Sequence, residues 1–134
     1  MTDRIPMWLS MMCLFGDDGR GKVDHTFGLN VDVERVSLNI PRATPADVDR
    51  ILNGLCFISN GGVELFVGTA GSIPVSSLRP GTYRLQQDQW PDSAGMKIEP
   101  GWRILKGQVV TLNMDGPKGL FAGVILYGHT LTEN

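Results

Sequence analysis

Short β-rich runs, broken by turn residues about every 8–12 positions, restrict what this chain can become. The clearest is "LCFISNGGVELFVG", two such runs around Asn60-Gly61-Gly62, residue types that tolerate the positive φ of a tight hairpin. "HTFGLNVDVERVSLNI" alternates with Phe27, Leu29, Val31 and Val33 on one face. Its next apolar residues, Val36, Leu38 and Ile40, have moved to even positions. One extra residue at Glu34-Arg35, a β-bulge, restores the face. In "QVVTLNM", Val110, Leu112 and Met114 alternate against Thr111 and Asn113. "SIPVSSL", "TYRLQQ", "MKIEP" and "WRILKG" read as further strands. A first strand, or an extended N-terminal arm, falls around Trp8–Phe15. Seventeen glycines and eight prolines sit between these runs as turn punctuation.

One segment reads as a helix. In "ATPADVDRILNG", Thr44 can cap, Pro45 suits the first helical position, and Asp47 completes a capping-box-like spacing. Val48, Ile51 and Leu52 form a short apolar stripe, and Asn53-Gly54 predicts a left-handed stop. The 134 residues suit one domain. The expectation is an all-β, jelly-roll-like antiparallel β-sandwich of about eight strands with one short helix. Residues 1–15 form the arm or first strand, and 16–134 the single sandwich domain.

The closing segment "GLFAGVILYG" lacks a polar face. Leu120, Ala122, Val124 and Leu126 alternate with Phe121, Gly123, Ile125 and Tyr127, so both rows need a covering. One short helix can cover only part of one sheet. Trp8, Met11 and Met12 in the opening run add a second apolar surface, with methionine supplying adaptable contacts. Large exposed apolar patches are rare on monomers. The expectation is therefore a homo-oligomer with Phe121, Ile125, Tyr127, Trp8, Met11 and Met12 at the interface.

Charge and chemistry exclude much. Twelve basic and fourteen acidic residues give a net charge of −2. No basic stripe exists to displace counterions from nucleic acid, so no direct nucleic-acid contact is expected. No run is long enough for a transmembrane helix, and the opening residues do not read as a signal peptide. His25 and His129 form no ligand pair, and a zinc site with Cys13 and Cys56 lacks close ligand spacing. "DDGRGKVD" reads as a polar turn and not a calcium loop. "GTAGS" matches a nucleophile elbow only superficially. Cys13 and Cys56 lie in apolar stretches and read as buried free thiols. No cofactor, metal or catalytic activity is expected. Trp90, in "QQDQWPDSAG", is a candidate ligand contact: an aromatic beside Gln89 and Asp92 can stack on a sugar ring. A carbohydrate- or receptor-binding module is the alternative function it suggests.

The order of short helix, hairpin "LCFISNGGVELFVG", turn "RPGTYRL" and then "LKGQVVTLNMDG" and "GLFAGVILYG" resembles the small single jelly-roll proteins of virus and bacteriophage capsids. Those include penton, spike-base and head-decoration (cement) proteins. "LFAGVILYG" is also similar to the final strand of tumour-necrosis-factor-like trimers, where aromatic and aliphatic residues line the threefold contact. The likeness spans roughly Val31 to Gly128 and is one of pattern, without a diagnostic motif. It implies a non-catalytic structural virion protein made in the host cytoplasm. It further implies a homo-oligomer, a trimer first, that stabilises the shell by contacts with the major capsid protein.

Overall fold

The computed structural model describes residues 2–41, 43–75 and 95–133. The strands are β1 (Thr2–Leu14), β2 (Arg20–Thr26), β3 (Asn30–Asn39), β4 (Leu55–Asn60), β5 (Val63–Thr69), β6 (Met96–Ile104), β7 (Val109–Asp115) and β8 (Phe121–Glu133). One helix, α1 (Pro45–Asn53), joins β3 to β4.

Two four-stranded antiparallel sheets form a sandwich, in the orders β1-β8-β3-β6 and β2-β7-β4-β5. The pairings follow one rule. β1 pairs with β8, β2 with β7, β3 with β6 and β4 with β5. A single antiparallel ribbon, running out along β1–β4 and back along β5–β8, makes those four pairings. β3–β8 and β4–β7 contacts then close the ribbon into two sheets.

Alternation places the core between them. Val31, Val33, Val36 and Leu38 of β3, Cys56 and Ile58 of β4, Val110, Leu112 and Met114 of β7, and Ala122, Val124 and Leu126 of β8 are all buried there. The register of β3 shifts between Val33 and Arg35 against both neighbours. That bulge is what lets odd- and even-numbered residues of one strand share the core. β1 runs the whole length of β8, from Thr2 opposite Glu133 to Leu14 opposite Phe121. It is an edge strand of the sheet and not a free arm, and it sends Met11 and Cys13 into the core.

At the start of α1 the Asp47 backbone N–H donates to the Thr44 hydroxyl at 3.2 Å, with Pro45 in the first turn. Thr44→Ala is expected to lower stability by about 1 kcal/mol in a urea titration. The stop differs from the sequence expectation. Gly54 is extended (φ −83°, ψ 168°), not left-handed. Glycine is needed there for closeness, since a Cβ would lie 2.8 Å from the Asp115 carbonyl oxygen. The β4–β5 hairpin turns on Gly61 (φ 57°) and Gly62 (φ 90°), while Asn60 stays in the strand. "MKIEP" and the first three residues of "WRILKG" belong to one strand, β6, whose residues 98–101 lie opposite the β3 bulge. Of "SIPVSSL", Ser72 closes a 3₁₀ turn and Val75 bridges Leu38. Residues 76–78 and "TYRLQQ" lie outside the described residues.

Candidate functional site

The two rows of β8 meet different surroundings. Ala122, Val124 and Leu126 face the core opposite Cys13, Met11 and Leu9 of β1. The other row lies on the outer face of the sheet. There Leu14 stands opposite Phe121, Met12 opposite Gly123, Ser10 opposite Ile125 and Trp8 opposite Tyr127. From β3, Asn39, Ser37 and Arg35 continue these rows.

This outer face is more polar than β8 alone suggests. The bulge that keeps Val36 and Leu38 inside turns Ser37 and Asn39 out, and the Ser37 and Tyr127 hydroxyls lie 3.1 Å apart. Asn39 Nδ2 donates to the Met12 sulfur at 3.5 Å. His129 Nδ1 lies 2.9 Å from Glu34 Oε1, and Arg103 pairs with Asp32. Arg35 donates to the Gly95 carbonyl at 2.8 Å. The sequence signal for these polar rows was the parity change at Glu34-Arg35, read outward instead of inward.

The six residues expected at an interface separate. Ile125 (3% exposed) and Tyr127 (0%) are buried within the single chain. Met11 is corrected from the contact surface to the core, because adjacent strand residues point to opposite faces and its row faces Val124. Met12 is half-buried on the outer face. Trp8 (40%) and Phe121 (51%) remain exposed. Leu14, a member of the apolar opening run outside those six, is 56% exposed directly across from Phe121. The structure therefore brings an exposed apolar cross-strand pair to one end of this sheet. Trp90 lies outside the described residues.

Both cysteines are free and fully buried. Burial pushes the Cys13 thiol up to about 11. Cys56 is pushed up to about 12, by burial first and then by the neighbouring Cys13 charge. At neutral pH neither supplies a thiolate. His25 stands edge-on to Phe27, with ring centroids 4.7 Å apart. Among the described residues, no group of three or more His, Cys, Asp or Glu could hold a metal ion.

At the end of the sandwich near the β1–β2 and β7–β8 turns lies a polar cleft of about 350 Å³, lined by Asp18, Gly19, Arg20, Arg50, Asp115 and Gly116. Its charges balance. Asp18 Oδ1 accepts the Arg20 backbone N–H at 3.0 Å, and Gly19 sits at φ 76°, so "DDGRGK" is a self-capped turn. Among the described residues, no helix is long and apolar enough to cross a membrane.

Fold and surface together define an all-β sandwich with an exposed apolar cross-strand pair and a charge-balanced polar cleft. No protein-family model matches the chain, and no curated protein or solved structure matches it.

Proposed function

We propose that this chain is a structural virion protein, a capsid decoration (cement) or minor capsid protein that acts as a homo-oligomer on the major capsid protein. The exposed Leu14–Phe121 pair carries the reading, with Trp8 on the same face. Apolar side chains paired across two long strands gain most when a neighbour removes them from water, at roughly 25 cal/mol per Å² before ordering costs. The ribbon pairing of β1–β8, β2–β7, β3–β6 and β4–β5 supports a jelly roll, an architecture that capsid proteins share. A trimer is the favoured assembly.

Light scattering tests it. The wild type is expected at three times the 14.6 kDa chain mass. At roughly 5 μM chain, too dilute for weak contacts elsewhere on the surface to form, Leu14→Asp/Phe121→Asp is expected at the single-chain mass with an unchanged β-type circular dichroism spectrum, since both residues are exposed. A folded wild-type monomer overturns the oligomer, and a double variant that keeps the wild-type mass removes this face from it.

A further inference from the structure

Among the described residues, the two sheets end in four edge strands, and three are guarded. β1 contains Pro6, which has no N–H to offer. β2 carries Arg20, Lys22 and Asp24. β6 carries Lys97, Glu99, Pro100 and Arg103. β5, "VELFVGT", has a single charge, Glu64, among valine, leucine and phenylalanine. Among the described residues, no strand pairs with its outer side. Charges, prolines and short strands are the usual protection of an edge against another chain, and β5 has the least of it.

Its side-chain pattern shows what fits there. The register against β4 shifts between Ile58 and Ser59, so Leu65 has no partner across the ladder. Glu64 lies opposite Ser59, whose other neighbour is Thr111; Val67 lies opposite Phe57, whose other neighbour is Asn113. Thr111 and Asn113 alternate with buried Val110, Leu112 and Met114, so Glu64 and Val67 belong to the outer face. Leu65 and Phe66 pack against the core. From Glu64 to Val67 the strand thus reads out, in, in, out.

That order is its own mirror about the midpoint of Leu65 and Phe66. An antiparallel second copy placed about a two-fold axis there sets Leu65 opposite the partner's Phe66 on the inner face. On the outer face, Glu64 stands opposite the partner's Val67. Val63 then falls opposite the partner's Gly68, which has no side chain to crowd it. Each residue meets one on its own face, and the two glutamates avoid each other. A different protein would have to reproduce both the bulge and the pleat, whereas a second copy carries them already.

We propose that the β5 edge is a two-fold interface between copies of this chain, formed by antiparallel pairing centred between Leu65 and Phe66. It joins two four-stranded sheets into one of eight strands and is independent of the Leu14–Phe121 contact.

Sedimentation equilibrium on the full chain tests it, in the Leu14→Asp/Phe121→Asp background so that only this contact is read. A dimer is expected at roughly 100 μM. Adding Val67→Glu places two carboxylates opposite each other twice per dimer and is expected to raise the dissociation constant about tenfold or more. Val67→Lys faces the partner's Glu64 and is expected to keep the dimer. Glu64→Lys with Val67→Glu is expected to restore it. These substitutions sit on the exposed strand face, and thermal melts check that each protomer stays folded. A monomer before any β5 substitution overturns the proposal, as does equal weakening by Val67→Glu and Val67→Lys. Failure of the Leu14–Phe121 contact appears separately, as a background variant with the wild-type mass.

Discussion

Alanine at Gly123 or Gly128 is expected to destabilise the fold severely. A Cβ on Gly123 would overlap the Met11 carbonyl oxygen and stand 2.8 Å from Met12 Cα. A Cβ on Gly128 would overlap the Asp32 carbonyl oxygen and stand 3.0 Å from Val33 Cα. The obstacles are backbone atoms in the β1–β8 and β3–β8 ladders, so no rotamer relieves them. Moving either strand breaks the pairing that holds the central strand of this sheet. The cost is expected above about 3 kcal/mol, a large part of the roughly 5–15 kcal/mol that holds such a domain together. Gly28, with nothing within 4 Å of its Cβ position, is the control, and Gly28→Ala is expected to stay within about 0.5 kcal/mol of wild type. Urea titration of the three variants checks this; a wild-type midpoint for Gly123→Ala would contradict the close approach.

Alkaline pH is expected to destabilise the protein steeply through its core thiols. The fold raises both pKa values above the ordinary 9.0, to about 11 for Cys13 and about 12 for Cys56. A raised pKa means that the folded state holds protons the unfolded chain releases. The two groups therefore give their full stabilisation below pH 9 and lose it as pH rises from 9 through 11 and 12. At about 1.4 kcal/mol per unit, the total over the two thiols is roughly 7 kcal/mol at most, reached only above the higher pKa. Urea midpoints measured between pH 8 and 10.5, under reducing conditions, should fall with rising pH. Cys13→Ala/Cys56→Ala should flatten that slope while lowering the midpoint at pH 8, because each substitution leaves a small void. An equal slope in the double variant would assign the alkaline loss to other groups.

The residues that were legible in the sequence are those whose neighbours along the chain determine their surroundings. The Gly61-Gly62 turn, the Thr44 cap, the alternation of β7 and the Glu34-Arg35 bulge all rest on local geometry, and each is present. The full extent of β6 was not legible. Pro100 and Gly101 read as a break, yet a strand at a sheet edge tolerates a missing donor on its outer side. The candidate site was half legible for a related reason. Periodicity separates the two rows of β8 correctly, but it does not report exposure. Ile125 and Tyr127 belong to the same row as Phe121, and only Phe121 keeps half its surface in water. The mirror order of β5 was hidden as well, because it depends on where β4 slips against it.

The pairing of Thr2 with Glu133 has a consequence for biosynthesis. β1 is made before the other described strands and its partner β8 after them, so the sheet they share cannot assemble until β8 has emerged. Met11 and Cys13 stay without their ladder partners until translation passes Val124 and Ala122. Pairings this distant in sequence form slowly, and nascent β1 is exposed to other chains throughout. The same adjacency offers a remedy. A circular permutant that joins the two ends and opens the chain at the Gly61-Gly62 turn would bring β8 and β1 together as consecutive strands. It would fold around a local hairpin instead of waiting for a strand more than a hundred residues away.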